Sequence, residues 1–266
     1  MEIGVSNYTW TWAVGIEGCI PKNPLNSLGL LEKAKEHQVQ VLQIADKPCL
    51  HSMNNAELDR IASKAREYGI KLEVGTRGIE PSRLNRYLNI AQRVGAKIVR
   101  TITHTLDTDA VSWLKEVLPD YSKAGVSIAL ENHDEHKTTE LVRFLDKIAS
   151  PYLGVCLDTV NSFAALEPPE NVVKNLSPYT INVHIKDFDI VRVGHQLGFS
   201  IEGRPAGEGR LNVPWLIDYI EKKNRGRDPN GILELWTPFT GTLEKTIARE
   251  NEWAIRSLRY LRGLIK

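Results

Sequence analysis

The chain has 266 residues, with 34 Lys and Arg against 33 Asp and Glu, a formal net charge of +1, and 42% hydrophobic and 25% charged residues. This is the balance of a soluble globular protein; it excludes a disordered or collagen-like chain and gives no electrostatic ground for a nucleic-acid partner. Three widely spaced cysteines (Cys19, Cys49, Cys156) make neither a disulfide framework nor a thiolate metal site. No stretch reaches the roughly 20 apolar residues of a membrane span, and the opening MEIGVSNYTWTW lacks the pattern of a secretion signal. A cytoplasmic protein without a membrane partner is expected.

In chain order, a first strand at Ile3–Val5 runs into the aromatic stretch SNYTWTW. A second, Val39–Ala45, ends in QIADK. Next come a helix at Asn55–Tyr68 and a strand at Lys71–Val74, then a helix at Pro81–Val94 and a strand at Ile98–Ile102. The amphipathic stretch ending YSKAG precedes a strand at Ser127–Leu130. Each of these helices ends in Gly before an apolar run, as a left-handed C-cap followed by a strand would. The helix Thr138–Ala149 leads to strands at Gly154–Leu157 and Ile181–Ile185. A helix at Val213–Lys223, a strand at Ile232–Leu235 and a long helix at Leu243–Leu264 close the chain. Eight βα units of about 33 residues predict one (β/α)8 TIM barrel over residues 1–266. An open doubly wound sheet is the alternative, but no Gly-x-Gly-x-x-Gly follows any strand. The irregular, Gly-rich segment Phe188–Arg210 predicts a lid over the barrel mouth, with Phe199 as an apolar cap; a plain surface hairpin is the alternative.

Four predicted strands end in residues that bind divalent metals: Glu131, Asp158, His184 and Glu234. Intervals of 27, 26 and 50 residues set them one unit apart, the last with the long segment added. That spacing puts them at one level of neighbouring strands, at the C-terminal mouth where TIM-barrel active sites lie. Strand alternation agrees: with these four pointing inward, Ile128, Leu130, Val155, Leu157, Ile181, Val183, Ile185, Leu233 and Leu235 point outward to the helices. Taken singly, each polar residue would as readily satisfy a neighbour. Together, three carboxylates and an imidazole suit Mn2+, Mg2+ or Co2+; Zn2+ is less favoured because no thiolate joins them.

The segments LEN (130–132), CLDTVN (156–161), HIKD (184–187), GEGRLNVPW (207–215) and LEL (233–235) give the chain its resemblance to the xylose isomerase-like TIM-barrel superfamily. That superfamily includes sugar isomerases, ketose 3-epimerases, inosose and dehydroshikimate dehydratases and endonuclease IV. The resemblance covers essentially the whole chain. It implies one divalent ion on Glu131, Asp158, His184 and Glu234, with Glu131 and Glu234 also moving the substrate proton. The chain departs from many relatives in carrying Asn161 where they have His, and Ile190, with Arg192 two further on, where the epimerases have Arg.

A cation that chelates a substrate carbonyl stabilises the enediolate or enolate left when a bond at the neighbouring carbon breaks. Isomerisation, epimerisation, dehydration and decarboxylation share that intermediate. The expected function is therefore a metal-dependent sugar isomerase or epimerase acting on a keto sugar or keto sugar acid. The alternative is a lyase, either a decarboxylase of a β-keto sugar acid or a dehydratase. A nuclease and a non-catalytic sugar-binding barrel are more distant. Candidate substrate contacts are Lys47, Arg77, His133, Asn161, Lys186 and Arg192, with Arg204 beside them. Strand 4 offers Arg100 or His104 according to register, and Tyr8, Trp10 or Trp12 could supply an apolar wall. The cations favour an anionic substrate. The partner is a small sugar or sugar acid, with room for a homo-oligomer.

Overall fold

Eight strands carry the architecture: β1 (Ile3–Ser6), β2 (Val41–Ala45), β3 (Lys71–Gly75), β4 (Ile98–Thr101), β5 (Ser127–Glu131), β6 (Leu153–Asp158), β7 (Thr180–Ile185) and, after the hairpin strands β8 (Asp187–Arg192) and β9 (Phe199–Arg204), β10 (Asn230–Leu233). In the computed structural model, which describes residues 1–224 and 226–265, they close in the order β1-β10-β7-β6-β5-β4-β3-β2. Every neighbouring pair in the ring is parallel. This is the (β/α)8 barrel that the recurring helix–Gly–strand pattern predicts.

The helices are α1 (Thr11–Val14), α2 (Ser27–Glu36), α3 (Asn55–Tyr68), α4 (Pro81–Val94), α5 (Thr108–Ala124), α6 (Thr138–Ile148), α7 (Pro169–Leu176), α8 (Val213–Lys223) and α9 (Leu243–Leu264). Their ends follow local chemistry. Asn54 and Glu57 form a reciprocal capping box on α3, and Asp107 accepts from Ala110 N at the start of α5. Gly69, Gly95 and Gly125 take the left-handed conformation that stops α3, α4 and α5.

Strand alternation sorts the two layers. Val5, Leu42, Ile44, Val74, Val99, Ile128, Leu130, Val155, Leu157, Val183, Ile185 and Leu233 pack outward in one cluster with helix residues such as Leu30, Leu84, Tyr121, Phe144 and Leu216. Ile181 departs from the predicted outward side. Val155 and Cys156 pair with Thr180 and Asn182, so Ile181 is the extra residue of a bulge in β7, and it packs with Ala129 and Cys156 instead. Strand boundaries shift by a residue or so at most ends and further in β2, which begins at Val41, and in β10, which runs from Asn230 to Leu233 and leaves Glu234 just past the strand.

The segment predicted as a lid forms the antiparallel hairpin β8–β9 and a following turn. Asp187 organises its base. Its Oδ1 accepts from Phe188 N (2.8 Å) and Leu211 N (3.0 Å), and its Oδ2 accepts from Gly207 N (2.8 Å) and Gly209 N (3.0 Å). A Cβ at Gly209 would collide with that carboxylate and with the Phe188 carbonyl. Asn212 then caps α8 through Trp215 N, with Pro214 in the first turn. The HIKD and GEGRLNVPW segments are thus two halves of one local structure.

Asp187→Ala removes the acceptor of four backbone donors, Phe188, Gly207, Gly209 and Leu211 N, and is expected to lower stability by about 3 kcal/mol or more. Denaturant unfolding measures the change. Wild-type stability would show that the turn holds its shape without the carboxylate.

Candidate metal centre and active site

Glu131 ends β5, Asp158 ends β6, His184 is the penultimate residue of β7, and Glu234 directly follows β10. The β6–β7 register sets Asp158 opposite His184. All four side chains are buried at the C-terminal end of the barrel. His184 Nδ1 lies 3.4 Å from Glu131 Oε2, 3.6 Å from Asp158 Oδ2 and 3.5 Å from Glu234 Oε2.

Each carboxylate uses one oxygen to hold its position and turns the other to this centre. Asp158 Oδ1 accepts from Val160 N and Asn161 N, both at 2.9 Å. Glu234 Oε1 accepts from Ser6 Oγ at 2.9 Å, and Glu131 Oε1 from Asn161 Nδ2 at 2.7 Å. The ring of His184 is fixed from behind. Its Nε2 donates to Gln43 Oε1 (2.8 Å), while Gln43 Nε2 donates to Glu73 Oε2 (2.9 Å). Glu73 also accepts from Asn182 Nδ2 and Asn230 Nδ2, both at 2.6 Å. The tautomer that this chain of bonds selects leaves Nδ1 bare, and Nδ1 has no hydrogen-bond partner.

The donor set fits a divalent ion. Separations of 3.4–3.6 Å are too long for hydrogen bonds. They match the spacing of donors held about 2.1 Å from a common centre. Asp158, His184 and Glu234 form one such group, and Glu131, Cys156 and His184 form another. Sequence reasoning passed over Cys156 because no second thiol accompanies it. Its Sγ donates to Asn182 Oδ1, and burial pushes the thiol up to about 12, so it stays neutral and a poor ligand. The protein thus has the capacity for a divalent metal at Asp158, His184 and Glu234, with Glu131 Oε2 also facing His184 Nδ1.

Two buried cations offset much of the carboxylate charge. Lys186 Nζ contacts Asp158 Oδ2 (2.7 Å) and Glu234 Oε2 (2.9 Å). Arg100 Nε pairs with Glu131 Oε2, and its other arm reaches Asp46 Oδ2 at 3.5 Å. Burial pushes the Glu131 carboxyl up, but the Arg100 guanidinium, with the Lys186 ammonium, outweighs it and holds it well below the usual range. Burial opposes the Lys186 ammonium, yet Asp158 and Glu234 outweigh it and raise its pKa.

Above this centre opens a cavity of about 480 Å³. Arg77, His133, Asn161 and Lys186, all expected as substrate contacts, line it beside Glu131 and Glu234. Tyr8 and Trp12 supply an aromatic wall, with Trp236 opposite in the sequence and not foreseen. Arg100 is the inward residue of strand 4; His104 is exposed and faces Glu135. Trp10 is buried in the core against His37.

Three expected contacts, Lys47, Arg192 and Arg204, lie outside this lining. Lys47 is exposed beside a neighbouring cavity, because β2 ends at Ala45 and Asp46 turns to φ +55°, which breaks the alternation that would have carried Lys47 inward. Arg192 rides on β8 with its guanidinium 4.2 Å from the Phe199 ring. Among the described residues, none of 188–210 lines the cavity. Phe199 is 64% exposed rather than capping the mouth, and the hairpin meets the site where Gly203 abuts Trp236.

A family model described as a xylose isomerase-like TIM barrel matches residues 31–264. The chain belongs to the xylose isomerase-like TIM-barrel family. It is 35% identical to a 3-oxo-isoapionate decarboxylase of Pectobacterium atrosepticum, over 98% of this chain and 95% of that protein. Among solved structures, D-psicose 3-epimerase of Clostridium cellulolyticum superimposes with a TM-score of 0.73 at 16% identity, covering 100% of both chains. The probable 3-DHS dehydratase AsbF of Bacillus anthracis gives a TM-score of 0.70 at 12% identity, covering 98% of this chain and 99% of that one. These two share the fold. The protein is an enzyme of this family, and among the described residues no helix is long and apolar enough to cross a membrane.

His184→Ala should abolish divalent-metal uptake, measured by elemental analysis of the purified protein. Gln43→Ala, which frees the ring, should weaken metal affinity by about 10- to 100-fold. Unchanged affinity would mean that packing alone orients His184.

The aromatic wall has its own anchor. Glu250 on α9, fully buried, accepts from Trp12 N (3.0 Å) and Ala13 N (3.1 Å). Burial raises its carboxyl to about 8. The folded state therefore favours the protonated form, and stability should fall as pH rises from about 5 to 8. Glu250→Gln should flatten that part of the pH profile in thermal unfolding; an unchanged slope would assign it to other groups.

Proposed function

We propose that this protein is a divalent-metal-dependent decarboxylase of a 3-oxo sugar acid. The sequence expectation placed an isomerase or epimerase first and this lyase second. The lyase reading has the better support, from the 35% identical relative and from the state of Glu131. Both Glu131 oxygens are already engaged, Oε1 by Asn161 and Oε2 by Arg100. An epimerase of this kind draws a proton from carbon with one carboxylate and returns it with another. Loss of CO2 needs no such base, because the electron pair comes from the breaking C–C bond.

A divalent ion on Glu131, Asp158, His184 and Glu234 would supply a Lewis acid for the substrate's keto oxygen. Mn2+, Mg2+ and Co2+ suit the donors best. The other roles belong to the chain itself. Arg77, held by Asp46 Oδ2 at 3.2 Å, and Lys186 put positive charge on the cavity wall for a carboxylate substrate. Asn161 and Ser6 keep Glu131 and Glu234 oriented. Tyr8, Trp12 and Trp236 offer apolar faces to the sugar carbons and reduce water access. His133, on the cavity wall, is the candidate donor of the proton that the product carbon gains.

Mn2+-loaded protein should release CO2 from a 3-oxo sugar acid and leave neutral ketoses unchanged. CO2 evolution and sugar chromatography on the same reactions measure both. Interconversion of neutral ketoses without CO2 release would overturn the proposal in favour of an epimerase.

A further inference from the structure

Lys186 sits inside the ligand set rather than at its rim. It is 7% exposed, and its Nζ touches Asp158 Oδ2 and Glu234 Oε2 at 2.7 and 2.9 Å. These are the oxygens that face His184 Nδ1. The remaining oxygens, Asp158 Oδ1 and Glu234 Oε1, are held by Val160 N, Asn161 N and Ser6 Oγ. Neither carboxylate can offer Lys186 a different oxygen without breaking a buried hydrogen bond. An ammonium and a divalent ion must therefore share the same two atoms, and like charges a few ångströms apart in a buried site repel strongly.

We propose that Lys186 is a resident counter-cation of the ligand set. It partly offsets the charge of Asp158 and Glu234, keeps the two carboxylates together, and weakens the binding of the divalent ion through that shared contact. The Trp236 ring, 5.6 Å from Nζ, gives the ammonium an aromatic face to lean on when its hold on the carboxylates loosens. A lysine that served only as a substrate contact would leave metal binding in the absence of substrate unaffected. The inference concerns the ligand set alone, so a failed decarboxylation assay would leave it standing.

The test titrates chelator-treated protein with Mn2+ and follows the free-ion EPR signal, without substrate. Lys186→Met should bind Mn2+ about tenfold or more tightly than wild type. Lys186→Arg, which keeps the charge, should stay near wild type. Thermal unfolding of the chelator-treated forms should show Lys186→Met melting below wild type and recovering when Mn2+ is added. If Lys186→Met folds only with the ion present, Lys186→Gln, purified with Mn2+ and stripped by chelator competition, carries the same expectation of tighter binding. Equal or weaker Mn2+ affinity in the neutral variants would overturn the proposal. Absence of Mn2+ binding by wild type would overturn the metal reading itself.

Discussion

Three carboxylates buried around one imidazole cannot persist without compensating positive charge. Glu131, Asp158 and Glu234 each lie within 3.6 Å of His184 Nδ1, and all are at most 4% exposed. Bringing such charges out of water costs several kcal/mol each unless cations and hydrogen bonds offset the loss. Much of the barrel's upper half answers that constraint. Arg100 and Lys186 bring charge from β4 and from the end of β7, and Ser6, Asn161 and the backbone of 160–161 bring hydrogen bonds.

The constraint extends below the site. Gln43, Glu73, Asn182 and Asn230 fill the barrel interior with a connected polar network instead of the usual layers of branched aliphatics. Glu73 at its centre is fully enclosed, and burial pushes its carboxyl up despite the donors around it. Such a network ties His184 to β2 and β3 across the barrel and to the neighbouring β10. The ring can then face three carboxylates without turning to bond with one of them, which would remove a donor atom from the centre.

A divalent ion held by carboxylates and an imidazole serves several reactions in principle, because all of them can pass through one kind of carbanion equivalent. What separates the reactions is which side chains remain free to move protons. Here Asn161 and Arg100 engage both oxygens of Glu131. Asn161, where the family resemblance implies His, cannot titrate; its amide binds the Glu131 carboxylate instead.

The amino-acid sequence determined the barrel and brought Glu131, Asp158, His184 and Glu234 to its C-terminal end, because both depend on short-range rules. Left-handed caps at Gly69, Gly95 and Gly125 mark helix ends, strand alternation separates Leu130 from Glu131, and one-unit spacing puts Glu131, Asp158 and His184 on consecutive strands, with Asp158 opposite His184. Alternation stopped being a guide where strands end or bulge, as at Lys47 beyond Asp46 and at Ile181 in β7. Only the tertiary structure decided that Arg100, and not His104, faces Glu131, that Lys186 sits on the metal-facing oxygens, and that the 188–210 segment is a hairpin beside the mouth. Each of these rests on contacts between residues 27 or more positions apart or on the direction taken by a loop, and neither leaves a periodic trace in the chain.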